Sequence, residues 1–459
     1  NLLVEKRYSR HTDYPKVLSH VLGYIGSPTD NELTNILSEA IYPRQETIFS
    51  YANGFISGKS GLEKTFDNIL RGQFGEKVYE VDARGKLLKE ISQINPIDGD
   101  SIFTSIDLGS HIAADKALQD RMGAVVAVEI ETGAIVTLFS SPSYSINDLS
   151  NGITSEKFSS LINNPNKPFF NRALRGSYPP ASTIKPALGI FGIQNELINW
   201  NYSIQDPGFF TLPEDGRIYR GWKKGGHGEV NLEKAIVVSS NTFFFSLAYR
   251  ADIDELGDHL KKLGFGKKVC LDCFDEYAGY VPTPQWKRNN FNSGWSRGDT
   301  VNLGVGQGYM ESTPIQLAYY SSILANKGSV KELSIVQSSK KKSTKVIELN
   351  NFNKNDWSQL HNAMTNVIDS SSGTSRRLKD LKSFQVAAKS GTAELVSLDS
   401  KEDYLLIRKN KTQRDHAIMI AFGPMPNPKY AVSVVIENGE SGGAVAGPVA
   451  IAVLKELIE

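Results

Sequence analysis

The sequence predicts an α+β fold in which strands from distant parts of the chain share one central antiparallel sheet flanked by helices. Three observations predict it. Two β-rich runs about a Glu-Thr-Gly turn, "GAVVAVEIETGAIVTLFS", occupy residues 123–140. A second pair, "HAIMIAFGP" (416–424) and "YAVSVVIENG" (430–439), stands near the end, followed by an apolar helix, "GPVAIAVLKELIE". Between about 150 and 330 the pattern is one of helix and loop. Strands at both ends with helices between them are most simply closed into one mixed domain.

The elements follow in order. In "GLEKTFDNILRGQFG" (61–75), Leu62, Phe66, Ile69 and Leu70 fall at helical spacing, with Gly72 as the stop. "KVYEVDARGKLLKEI" alternates around an Arg-Gly turn and reads as a hairpin. "INPIDGD" (94–100) is a turn-rich joint. A boundary there gives a small first domain, residues 1–100, and a large second one, residues 101–459. "IFTSID" reads as a strand, and a helix starts after Asp107, a suitable N-cap. The basic run "SSKKKSTK" (338–345) reads as a solvated loop. No internal repeat is visible.

Composition narrows the class. The chain has 459 residues, long enough for two or three domains, and 40% hydrophobic and 22% charged residues are ordinary for a globular protein. A net charge of +1 gives no field for nucleic acid. Two cysteines, Cys270 and Cys273 in "VCLDCF", are too few for a disulfide scaffold. The pair fits a redox motif, half a zinc site, or no role at all. No apolar run reaches the ~18 residues that a membrane helix needs. The chain begins at Asn1 rather than methionine and reads as an excised portion of something longer.

The chemistry sits in three short motifs. In "YPPASTIKPALGIF" (178–191), Pro179 and Pro180 end an extended approach, and Ser182 opens an apolar helix with Lys185 three residues on. Positions i and i+3 share a helix face, which brings an amine to a hydroxyl. A serine nucleophile needs such a base beside it. "VVSSNTFFF" adds Ser239 and Asn241 as S-x-N. "VAAKSGTAEL" adds Lys389, Ser390, Gly391 and Thr392 in a strand-like context. Decoys exist: Ser338/Lys341, Ser339/Lys342, Ser145-Ile146-Asn147 and "GKSG" around Lys59. One set alone has the order S-x-x-K, S-x-N, K-S-G within a domain-sized block.

That ordered set resembles the penicillin-recognising serine enzymes. "NRALRGSYPPASTIKP", "DPGFF", "GWKKGGHGEVNLEKA" and "DTVNLGVGQGYMESTPIQLA" narrow the resemblance to the class B penicillin-binding proteins, nearest the penicillin-binding protein 2 group. "VLGYIG" and "GLEKTFDNILRGQFG" resemble the end of that group's N-terminal pedestal. The resemblance implies a penicillin-binding transpeptidase fold with a pedestal remnant at residues 1–100. It implies a peptidoglycan D,D-transpeptidase that cross-links stem peptides ending in D-Ala-D-Ala and is acylated by β-lactams. By the same resemblance, Ser182 is the nucleophile, Lys185 a neutral base, Ser239 a proton relay and Asn241 a positioning group. Lys389 becomes a charged anchor for the terminal carboxylate, helped by Ser390 and Thr392. Gly391 lets the substrate strand lie close. Expected partners are a glycosyltransferase of the elongation complex and its periplasmic scaffold. The expected location is the bacterial inner membrane, with the catalytic part in the periplasm.

Some members of that group hold zinc through two aspartates, a histidine and a cysteine. Here Asp206 and His227 match, the second aspartate is Gly221, and no cysteine precedes Ser239. Two ligands fall short of a four-coordinate site, so no metal or other cofactor is expected. Rival readings are a D,D-carboxypeptidase or serine β-lactamase, which pass the acyl group to water, and a non-catalytic β-lactam sensor.

Overall fold

The computed structural model describes residues 10–39, 56–73, 75–337, 343–395 and 411–459. The chain divides into two compact units. The first takes residues up to Thr104 together with 143–165 and 272–274, and the second takes the remainder.

The second unit is built on a five-stranded antiparallel sheet. Its helices include α1 (Leu108–Leu118), α2 (Lys185–Gln194), α3 (Asn241–Arg250), α4 (Pro314–Ala325) and α5 (Gly447–Ile458). Its strands are β1 (Gly123–Glu129), β2 (Ala134–Ser141), β3 (Ala387–Ala393), β4 (His416–Gly423) and β5 (Tyr430–Ile436), in the order β3-β4-β5-β1-β2. Segments some 300 residues apart are therefore neighbours, as with Val432 of β5 opposite Ala127 of β1. Helices α1 and α5 cover one face of this sheet, and α4 covers the other. Double coverage explains the apolar runs: β1 has six consecutive buried residues, so alternation is lost. All twelve residues of α4 are buried, and Thr313 and Gln316 close its first turn as a capping box.

The expected N-cap is present, with the Asp107 side chain accepting from Ser110 N. The expected strand "IFTSID" is not a strand. Ser105 N bonds to Ile335 O and Asp107 N to Val136 O, so the segment is tied sideways to two different partners and no ladder forms. The hairpin reading holds, with Glu76–Val81 pairing Leu87–Ile94 in the first unit. The helix over 61–75 is instead two short pieces, Gly61–Thr65 and Asp67–Leu70, interrupted at Phe66. Part of the basic run, residues 338–342, lies outside the described residues, while Thr344–Val346 pairs with Ser329–Lys331. Both cysteines are disulfide-bonded. Nearby, Glu276 accepts from Val269 N and Cys270 N.

Near the chain end, Gly442 opens a π-turn, Gly442–Ala446, that leads into α5. Its Cα lies so near Gly391 and Ile418 that a Cβ would enter the backbone of both β3 and β4. Gly442→Ala is therefore expected to force these strands to shift and to destabilise the unit by about 1–3 kcal/mol. Thermal melting checks this, and an unchanged midpoint would show that the turn can move aside.

Candidate active site

The turn that carries Ser182 is sutured on two sides. Tyr178 exchanges backbone bonds with Ser312, Tyr178 N to Ser312 O at 2.9 Å and Ser312 N to Tyr178 O at 2.8 Å. After Pro179 and Pro180 the chain makes a 3-10 turn, Ala181–Ile184, which runs directly into α2. Ala181 has φ +50°, a left-handed conformation that an alanine adopts only at a cost of about 1–2 kcal/mol. Its N–H donates to Gly306 O at 2.8 Å, which holds it there. Residues Lys185 to Ile193 of α2 are all buried, so the unpaired N–H groups of its first turn need partners inside the protein. Pro186 has none to offer, and Ala187 N donates to the Tyr320 hydroxyl at 2.9 Å. The Ala187 carbonyl accepts in turn from His259 Nε2 at 3.0 Å.

The Lys185 amine points at the S-x-N turn. It lies 2.9 Å from Ser239 O, 3.1 Å from Ser239 Oγ and 2.7 Å from Asn241 Oδ1. From the other side, Lys389 Nζ donates to the same Ser239 hydroxyl at 2.9 Å and to Ser390 O at 2.9 Å. Both lysines are completely buried. Burial pushes Lys185 well below its ordinary pKa, and the neighbouring charge of Lys389 adds to that, against a weaker opposing pull from Asp206. Burial lowers Lys389 to about 7. Burial thus works against the standing charge that the sequence reading expects of Lys389. A neutral Lys185 has two N–H bonds and one lone pair. Ser239 O and Asn241 Oδ1 accept the two N–H bonds, which leaves the lone pair for a hydroxyl proton. Ser239 accepts from Lys389 and can give its own proton to a neutral Lys185, so the three groups form one hydrogen-bonded line. Ser182 is half-buried, and among the described residues its hydroxyl makes no hydrogen bond.

Strand β3 is an edge of the sheet, with β4 on one side only. Gly391 faces the Ser182 turn: a Cβ there would press on Thr183 Cγ2 and approach Pro180 O and Ala181 Cβ. Its missing side chain thus makes room for the turn that carries Ser182. Thr392 is exposed, and its carbonyl accepts from Gln307 Nε2 at 3.3 Å. That carbonyl points away from β4, and in a strand the N–H of the same residue points to the same edge. The Ser390 hydroxyl lies 2.9 Å from Thr374 Oγ1, a residue the motif reading did not single out. No local pattern marks Thr374. The Gly-Thr pair in "SSGTS" was the one available cue.

Trp222, another residue missed, is exposed and donates its indole N–H to Val238 O and Ser239 O, both at 3.2 Å. Asp206 is buried, and its carboxylate accepts from Ser240 Oγ at 2.7 Å and Gly208 N at 2.8 Å. Burial opposes ionisation, but donors led by Ser240, with the nearby charge of His227, outweigh it and hold the carboxyl below its usual range. Gly221 supplies no ligand, and no cluster of three ligating groups forms around Asp206 and His227 among the described residues. These residues do not fit a zinc site. The decoy motifs have structural work instead. Ser145 caps a short helix by accepting from Asp148 N, and Lys59 pairs with Glu32 at 2.5 Å. Ser338/Lys341 and Ser339/Lys342 lie outside the described residues.

A serine at a helix-opening turn, one helical turn ahead of a buried lysine and packed against an edge strand, is the arrangement of an active-serine acyl-transfer enzyme class. The chain belongs to the class B penicillin-binding proteins. Residues 123–455 match the penicillin-binding protein transpeptidase domain, and residues 1–104 match the penicillin-binding protein dimerisation domain. The chain is 35% identical over 450 residues to the peptidoglycan D,D-transpeptidase MrdA of Acinetobacter baumannii, covering 96% of this chain and 65% of that protein. It thus spans somewhat less than two thirds of that relative's length. Among solved structures it is similar to Pseudomonas aeruginosa PBP2 in complex with WCK 5153, with TM-score 0.81, 32% identity, and 99% and 92% of the two chains covered. It is also similar to Helicobacter pylori PBP2 in its complex with MreC, with TM-score 0.83, 28% identity, and coverage of 98% and 78%.

The brace on α2 has a pH dependence. Burial lowers His259 to about 4, whereas an unfolded histidine titrates near 6.5. The folded state therefore keeps His259 neutral while the unfolded state takes up a proton. Its contribution is fully present above about pH 6.5 and is lost as pH falls towards 4, by about 3 kcal/mol. The melting temperature is expected to drop over that window, and His259→Gln, which can still donate to Ala187 O, should lessen the drop. Parallel curves for the two proteins would exclude His259 as the source.

Proposed function

We propose that this chain is a peptidoglycan D,D-transpeptidase that cross-links stem peptides through a Ser182 acyl-enzyme and is acylated by β-lactams. The observation that carries this reading is one hydroxyl, Ser239, held between two buried amines at 3.1 and 2.9 Å. Such a line has little structural purpose, since burying two amines is costly, but it can move protons to and from a serine nucleophile.

The stem peptide lies against the free edge of β3. Its terminal carboxylate takes the charge of Lys389 and the hydroxyls of Ser390 and Thr392, and raises the affinity of Lys389 for its proton. Ser182 Oγ attacks the carbonyl between the two D-alanines and gives its proton to the neutral Lys185 amine. The oxyanion is held by the N–H of Ser182, an unpaired first-turn donor, and by that of Thr392. Collapse breaks the C–N bond, and the proton on Lys185 passes through Ser239 to the departing D-alanine amine. Asn241 holds Lys185 in line. An amine of a second stem peptide then attacks the ester and yields a proton by the reverse route. A new amide forms, and the Ser182 hydroxyl is restored.

Residues 1–100 serve as a partial pedestal and 101–459 as the transpeptidase domain, in keeping with the two family matches. The relative solved with MreC supports a scaffold protein as partner, and the glycosyltransferase partner follows from the family alone. The setting that goes with this reading is the periplasmic side of an inner membrane. Among the described residues no helix is long and apolar enough to cross a membrane.

Intact-mass measurement after penicillin treatment should show one adduct, absent in Ser182→Ala; an adduct on that variant would sink the assignment. Lys185→Arg should lose nearly all acylation, because arginine keeps its proton. The acylation rate constant at limiting drug should rise with pH as the depressed Lys185 becomes neutral, then fall as Lys389 loses its charge above about 7. A rising limb centred near pH 10, the ordinary lysine value, would exclude Lys185 as the base. Turnover of a stem-peptide donor with and without an amine acceptor separates a transferase from a hydrolase.

A further inference from the structure

The S-x-N turn holds its two working residues through the residue between them. Ser239 and Asn241 both touch the Lys185 amine, whereas Ser240 points the other way and is fully buried. Its hydroxyl does two things at once. It accepts from Phe243 N at 3.2 Å, capping α3, and it donates to Asp206 Oδ2 at 2.7 Å. Asp206 ends the strand Ser203–Asp206 and is only 3% exposed. Its second oxygen accepts from Gly208 N at 2.8 Å, and its backbone carbonyl from His227 N at 3.2 Å. The carboxylate is thus fixed on its own element before it meets Ser240. Meanwhile Ser239 sits at φ +56°, a strained position for a serine that persists only where neighbours hold it.

We infer that Asp206 is a positioning residue for acylation: through Ser240 it sets where Ser239 and Asn241 stand against Lys185. The inference rests on the reading of Ser182 as the acylated nucleophile. A carboxylate is needed at this point because two donors, Ser240 Oγ–H and Gly208 N–H, converge on it. An asparagine of the same shape has one acceptor oxygen, so its amide N–H would face one of the two donors. Asp206→Asn therefore keeps the volume and breaks one arm of the clamp.

The test is stopped-flow acylation by a fluorescent penicillin, run on the whole chain and resolved into a binding constant and a first-order acylation step. The end-point adduct per chain counts the folded, competent fraction. A purely structural loss lowers that end point, whereas a misplaced turn slows the step. For Asp206→Asn and for Ser240→Ala the acylation step is expected to fall about 10-fold or more, the factor that loss of one hydrogen bond to a charged group gives, at an unchanged end point. The binding constant should move less than about 2-fold, because Lys389, Ser390 and Thr392 are left in place. Ser240→Thr, which keeps the hydroxyl, should recover most of the rate. The double variant Asp206→Asn/Ser240→Ala should be no slower than Ser240→Ala alone, since both break one link. Wild-type rates in Ser240→Ala, additive losses in the double variant, or losses seen in the end point alone would each overturn the inference. Absence of any adduct on the parent protein would instead defeat the reading of Ser182.

Discussion

The site is governed by the cost of keeping two amines out of water around a single oxygen. Neither Lys185 nor Lys389 has solvent to stabilise a charge, and both approach Ser239 Oγ within 3.1 Å. Two positive charges in that space repel each other as well as losing hydration, and both effects favour a neutral Lys185. The polar surroundings conform to it. Ser239 O and Asn241 Oδ1 accept from Lys185, Ser390 O accepts from Lys389, and the Trp222 indole covers the Ser239 carbonyl.

Strain gathers at the same place. Ala181, one residue before Ser182, and Ser239 both adopt left-handed backbone without being glycine. Each conformation is imposed from outside: Gly306 O takes the Ala181 N–H, and Ser240 is tied to Asp206. The scaffold has reserves for this. The buried helices α2 and α4 join through the Tyr320 hydroxyl, and α4 packs on three central strands. The strained turns are thus mounted on the most deeply buried part of the unit.

The sequence carried the sheet and the catalytic motifs for different physical reasons. Strands covered on both faces must be apolar throughout, so "GAVVAVE" and "HAIMIAFG" announce themselves. Ser182 and Lys185 are legible because one helical turn separates them. Residues whose partners lie far along the chain leave no such trace. Asp206 meets Ser240 over 34 positions, Tyr320 meets Ala187 over 133, and nothing near either marks the other. "IFTSID" misled because an extended, partly apolar segment satisfies strand statistics even when its hydrogen bonds go to one loop and one strand. The complete burial of Lys389 is a tertiary property, invisible in "AAKSGTAE".

Strand β3 also poses a problem of colloidal behaviour. An open strand edge is a template for pairing with any extended chain, including another copy of the same protein. On the proposed reading a substrate peptide needs that edge open. Here Gln307 Nε2 holds the Thr392 carbonyl at 3.3 Å, one of the groups that such pairing would use. The Gln307 amide therefore also works as a guard against self-association, taking one rung of the ladder that a second copy would form.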